Sequence, residues 1–95
     1  MSVQNEFERV IEELREAAQR IVREGHAVAD QVEGVPAALN GHLDGVDEPL
    51  RDRLVGPVEL EAARISRELR NAIDQVAKSL EDRIRRTDEE MRRDR

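Results

Sequence analysis

The sequence contains no cysteine and a single aromatic residue, Phe7. Without cysteine, neither a disulfide nor a thiolate metal site can hold the chain together. No apolar run approaches the roughly 18 to 20 residues of a membrane-spanning helix. The amino terminus also lacks the basic region and apolar core of a secretory signal. We therefore expect a chain that is held by helix packing alone, with no membrane span and no ordinary export signal.

Charged residues make up 40% of the chain and hydrophobic residues 38%. This balance is typical of coiled coils and long helices. With 95 residues, the chain has room for one domain, residues 1–95, near the lower size limit for an independent core. The net charge is −6, and most of the acidic excess lies in residues 1–33. We expect a small all-α protein with an acidic first helix.

The first segment has apolar residues at helical spacing, in steps of three and four. Asn5 followed by Glu8 fits a capping box at its start. Gly34 followed by Pro36 predicts its end, because glycine accepts a left-handed cap and proline cannot continue the helix. The first helix should therefore cover about residues 3–33. Gly25 lies inside it and indicates a bend or a close helix crossing.

The middle of the chain, residues 34–56, contains most of the glycines but too many apolar residues for a plain loop. Short helices fit this corner better than a loop does. Pro36 can occupy the first turn of one, and Asp47 can cap another. After Gly56, an uninterrupted apolar stripe predicts a second long helix over about residues 57–92.

Adjacent apolar pairs such as Val10 and Ile11 make each stripe wider than the contact of one hairpin requires. The sequence therefore predicts an antiparallel helical hairpin that pairs with another hairpin, as a homo- or heterodimer, into a four-helix bundle. The residues predicted to form the interface and core are Phe7, Val10, Leu14, Ile21, Ile65, Leu69, Ile73 and Leu80.

Few residues suggest chemistry. His26 and Asp30 share a helix face, as metal ligands can, but this spacing is common and no third ligand is apparent. The arginines of residues 81–95 are matched by as many acids and have no aromatic neighbour for stacking, which argues against nucleic-acid binding. We expect no enzymatic activity, no cofactor, no metal and no nucleic-acid partner.

Two short motifs are similar to those of a known family. The corner contains Leu39-Asn40-Gly41 and Leu43-Asp44-Gly45, and the second helix contains Ile84 four residues before Asp88. The layout resembles the WXG100 or ESAT-6-like superfamily of type VII secretion substrates, in which W-x-G marks the corner and Y-x-x-x-D/E belongs to the export signal. Both aromatic positions are aliphatic in this chain. The resemblance implies a secreted hairpin, exported by a non-classical route, with Ile84 and Asp88 as the secretion motif.

A second hypothesis remains open at this point. The acidic first helix would also suit an intracellular adaptor or antitoxin-like regulatory protein that binds its partner through that helix. Such a protein would be cytoplasmic. The sequence identifies neither the partner nor the host.

Overall fold

The computed structural model describes residues 3–93, with side chains described for residues 5–93. This part of the chain forms three helices: α1 (Val3–Glu33), α2 (Val35–His42) and α3 (Glu48–Arg93). Helix α3 packs antiparallel along α1, and its first turns pack against α2. The predicted all-α helical hairpin is confirmed, and of the short helices predicted at its corner one is present, α2.

The end of α1 has a different cause from the one we expected. Gly34 has φ −80° and ψ −11°, which is right-handed helical geometry and no left-handed cap. Its N–H donates to the carbonyls of Asp30 and Gln31, at 3.1 and 3.2 Å. Pro36 lies in the first turn of α2. Because proline lacks an N–H and its ring collides with the preceding turn, Pro36 interrupts the helix and starts the next one.

The second long helix begins earlier than predicted. It starts at Glu48 and passes through Gly56 and Pro57 without a break, so the boundary expected at residue 57 was wrong. The segment that Asp47 was expected to cap is the beginning of α3, and the Arg51 N–H donates to the Asp47 carbonyl at 2.8 Å. An interior proline removes one hydrogen bond but need not end a helix that packs against a neighbour.

The buried interior of the hairpin is narrow. Ile11, Ala18 and Ile84 form its largest cluster, with Phe7 and Leu80 packed against it. The Cα atoms extend over 71 × 21 × 6 Å, so the hairpin is one helix thick. Such a layer has two broad faces and only one internal contact.

Helices α1 and α3 approach each other closely at Gly25. A Cβ atom placed on Gly25 would lie 2.5 Å from Cδ1 and 2.8 Å from Cγ1 of Ile73. The absence of a side chain at Gly25 is therefore what allows Ile73 to pack against α1. The close crossing suggested by this glycine is present, and it places Gly25 and Ile73 at the same height along the hairpin.

Candidate interaction surfaces

One face of the hairpin is lined by apolar side chains that are exposed to solvent. A series of exposed apolar side chains follows in steps of four and seven residues: Val10, Leu14, Ile21 and Val28 on α1, and Val35 at the start of α2. Ile21, for example, is 50% exposed. A seven-residue repeat keeps side chains on one side of a helix. The repeat therefore forms a continuous apolar strip along α1.

Helix α3 extends this strip on the same side of the layer. Ile65 and Val76 are exposed, the latter by 51%, and Val58 and Leu69 are half-buried. Val32 and Val35 line one shallow groove together with Val58 and Ile65, which shows that the strips of the two helices adjoin. We call this surface the apolar face; its residues are Val10, Leu14, Ile21, Val28, Val32, Val35, Val58, Ile65, Leu69 and Val76.

The opposite face carries a cluster of polar side chains that joins the two helices. Asp30 is two residues from Val28, and Asp74 is two residues from Val76, which is about 200° around a helix. These acids therefore lie on the side away from the apolar face. We call this group the polar cluster; its residues are His26, Asp30, Glu33, Ser66, Arg70 and Asp74.

Ser66 and Arg70 of α3 converge on Glu33 of α1. Ser66 is 1% exposed, and its hydroxyl donates to Oε1 of Glu33 at 2.6 Å. Nη2 of Arg70 donates to the same oxygen at 3.2 Å and also pairs with Asp30. The Ser66 hydrogen bond, followed by that of Arg70, holds the pKa of Glu33 below its usual value. Glu33 therefore stays ionised as an acceptor for two groups of the facing helix.

His26 completes the cluster. Nη1 of Arg70 lies 3.1 Å from Nδ1 of His26. Because a guanidinium can only donate, Nδ1 accepts and the ring proton lies on Nε2. That nitrogen is 3.4 Å from Oδ1 of Asp74. His26 therefore bridges two residues of α3.

The polar cluster joins α1 to α3 on a surface that is open to water. Its acids are more than half exposed and lie on an open layer, where ion pairs contribute little and water cannot be excluded. Within the described residues, no three His, Cys, Asp or Glu side chains come together as metal ligands. The sequence analysis did not identify Glu33, Ser66 or Arg70. Each lies at helical spacing in its own series, which is His26, Asp30 and Glu33 on α1 and Ser66, Arg70 and Asp74 on α3.

The candidate interface and core residues divide into two groups. Phe7, Ile73 and Leu80 are half-buried, Phe7 and Leu80 against the interior cluster and Ile73 against Gly25. Val10, Leu14, Ile21, Ile65 and Leu69 belong to the apolar face.

The candidate secretion motif points into the hairpin. Ile84 is buried beside Ile11 and Ala18. The Asp88 side chain is 15% exposed and accepts from Nε of Arg92 at 3.0 Å, one turn further along α3. A partner could reach Asp88 at its edge, whereas contact with Ile84 would require the helices to separate.

The two corner motifs occupy different positions. Leu39 and Gly41 lie within α2, so the first motif is helical. Leu43 caps the end of α2, and Gly45 has φ +90° in the turn before α3. This left-handed conformation favours glycine. Only the second motif is therefore placed at the turn of the hairpin.

The chain matches no family model, no curated protein and no solved structure. Among the described residues, no helix is both long and apolar enough to cross a membrane.

The Ser66 hydrogen bond provides a pH-dependent test of the polar cluster. We expect Ser66→Ala to lower the urea midpoint of unfolding at pH 7. The pKa of Glu33 is lowered in the folded chain from its usual value of 4.5. The ionised carboxylate therefore stabilises the folded chain fully above pH 4.5, and this stabilisation is lost as the pH falls. The difference between variant and parent should therefore shrink as the pH is lowered from 7 to values below 4.5.

Ser79→Ala is the matched control, since Ser79 is an exposed serine on the same helix. We expect its urea midpoint to stay at the parent value at both pH values. A Ser66→Ala loss of equal size at both would mean that packing, and not the Glu33 carboxylate, explains the effect.

Proposed function

We propose that this chain is a non-enzymatic interaction protein that pairs through its apolar face with the apolar face of another helical hairpin. The observation that carries the proposal is the exposed strip from Val10 on α1 to Val35 at the start of α2, joined to the strip of α3. Seven of the ten side chains of the apolar face are exposed and three are half-buried, and contiguous apolar surface typically marks an interaction site. A partner layer would cover both strips at once.

The arrangement of polar groups supports a role without catalysis. The six side chains of the polar cluster satisfy one another across two helices, on a surface open to water. A catalytic acid or base needs an enclosed environment that shifts its pKa towards the working pH. The pKa of Glu33 moves the other way, below its usual value.

The resemblance to type VII secretion substrates adds a proposed destination. In this proposal the paired hairpin leaves the cell, and Asp88 with the adjoining last turns of α3 contributes to recognition. The half-buried position of Asp88 keeps its carboxylate at the edge of the layer. Ile84 would support this segment from inside the hairpin.

Photo-cross-linking in the source organism tests the proposal without knowledge of the partner. One variant carries benzoylphenylalanine in place of Ile21, on the apolar face. The other carries it in place of the exposed Arg23, which lies about 200° away, on the opposite side of α1. We expect a protein adduct from position 21 and none from position 23. The culture medium should also contain the chain if it is exported.

Each result decides a separate part of the proposal. Absence of an adduct at position 21, or equal adducts at both positions, would contradict pairing through the apolar face. A chain found only inside the cells would contradict export and leave the pairing intact.

A further inference from the structure

A groove lies between α2 and the first turns of α3, close to the end of α1. Its volume is about 570 Å³, and the residues that line it include Glu33, Ala37, Asp52, Val55, Glu59 and Ala62. We call it the corner groove. Because Glu33 belongs to the polar cluster, the corner groove opens on the side away from the apolar face. A hairpin that covered the apolar face would therefore leave this groove open.

The floor of the corner groove is apolar. Val55 and Ala62 of α3 are buried there, and Ala37 of α2 lines the opposite wall. The methyl group of an alanine fills little of the space between two neighbouring helices. The floor can therefore cover the methylene stem of a long side chain.

The rim of the corner groove is acidic. Exposed Asp52 and Glu59 lie on the α3 side, and Glu33 lies on the α1 side. Within the part of the chain that the structure describes, no lysine or arginine lines the groove, and Asp52 and Glu59 form no ion pair. Residues 34–61 contain six acids and two arginines, against a net charge of −6 for the chain. The corner therefore carries most of the net negative charge.

The carboxylates are spread along the groove and do not converge on one point. Among residues 5–93, no three His, Cys, Asp or Glu side chains come together as metal ligands. Asp52 and Glu59 are seven residues apart, which places them on one side of α3 and about 10 Å from each other at 1.5 Å per residue. This spacing suits an elongated ligand with two separate positive charges.

We infer that the corner groove binds an extended basic segment of a partner protein, in which two arginine or lysine side chains lie three positions apart. In a polyproline II segment, such residues lie on the same side, about 9 Å from each other. Their head groups would pair with Asp52 and Glu59, and their methylene stems would lie over Val55 and Ala62. This inference goes beyond the proposed pairing, which uses the opposite face of the hairpin.

A labelled peptide tests this inference on the purified chain. The probe has two arginines three positions apart, with alanine and proline between them. In the reference peptide, citrulline, which is neutral and similar in shape, replaces both arginines. By fluorescence anisotropy at low salt, we expect the arginine peptide to bind roughly tenfold more tightly, since each exposed ion pair contributes about threefold. Added salt should remove most of this difference.

Two variants locate the binding site, and each has a matched control. Asp52→Asn combined with Glu59→Gln should weaken binding of the arginine peptide about tenfold. Ala37→Leu should weaken it without a change of charge, because leucine fills the groove. The controls are Glu61→Gln, whose side chain borders the groove on the apolar face, and Ala38→Leu, an exposed position outside the lining of the corner groove. Both controls should bind the peptide as the parent chain does.

Several results would overturn the inference. Equal weakening by Glu61→Gln would mean that net charge alone attracts the peptide. Equal affinity for the citrulline peptide, or no binding of the arginine peptide, would exclude a basic segment as the occupant. Displacement of the arginine peptide by spermine at a lower concentration than by the unlabelled peptide would indicate a small polyamine instead of a protein segment.

The two faces can be tested separately. Ile21→Glu alters the apolar face and should bind the arginine peptide as tightly as the parent chain, whereas its loss of binding would place the peptide on the apolar face and overturn the inference. A failure of the peptide to bind the parent chain would leave the proposed pairing intact, because the cross-linking adduct at position 21 reports on that pairing alone.

Discussion

Gly25→Ala should destabilise the hairpin, although alanine is the better helix former. The added Cβ would overlap Ile73, whose branched side chain has few alternative rotamers. Overpacking of this kind costs about 1–3 kcal/mol, and the higher helix propensity of alanine returns up to about 1 kcal/mol. We expect a net loss of about 1–2 kcal/mol in the free energy of unfolding, measured by urea titration at a fixed protein concentration.

Gly41→Ala is the control for this substitution. Gly41 is also helical, and a Cβ there would contact nothing within 4 Å. Alanine should therefore leave stability unchanged or raise it by up to about 1 kcal/mol. The same exchange at two glycines should thus have opposite effects.

Removing the obstructing side chain should reverse the sign at position 25. In an Ile73→Ala background, the Cδ1 and Cγ1 atoms that meet the new Cβ are gone. Gly25→Ala should then be neutral or stabilising, which a double-mutant cycle would show as a coupling between the two sites. An equal loss in both backgrounds would mean that the close crossing at Gly25 does not depend on Ile73.

The helices could be predicted because they depend on local patterns. Apolar residues in steps of three and four identify α1, and Pro36 fixes where α2 begins. The start of α3 was missed because Gly56 and Pro57 are strong local stop signals. Packing of the first turns of α3 against α2 outweighs them. Tertiary contacts of this kind cannot be recognised from local sequence patterns.

The division of the apolar residues between core and surface could not be read from the sequence either. Ile11 is buried and its neighbour Val10 is exposed, although both fit the same helical stripe. The side of the stripe that faces α3 is decided by the Gly25–Ile73 crossing and by the polar cluster on the other side. Ser66 and Arg70 looked like ordinary surface residues because their partners are more than thirty positions away in the sequence.

Ile21→Glu should weaken the pairing proposed for the apolar face. Half of Ile21 is exposed in the hairpin, so covering it with a partner contributes about 1 kcal/mol of apolar burial. The substitution also takes a carboxylate out of water in the paired state, at a cost of about 2 kcal/mol more. The dissociation constant for the partner hairpin, measured by sedimentation, should rise roughly a hundredfold.

The helical hairpin itself should survive this substitution, because the Ile21 side chain points away from the interior. Arg23→Glu makes a larger change in charge on the other side of α1 and should leave the proposed pairing intact, since that side lies away from the apolar face. Equal weakening by both variants would indicate that net charge governs association. Weakening by Ile21→Glu alone would place the contact on the apolar face.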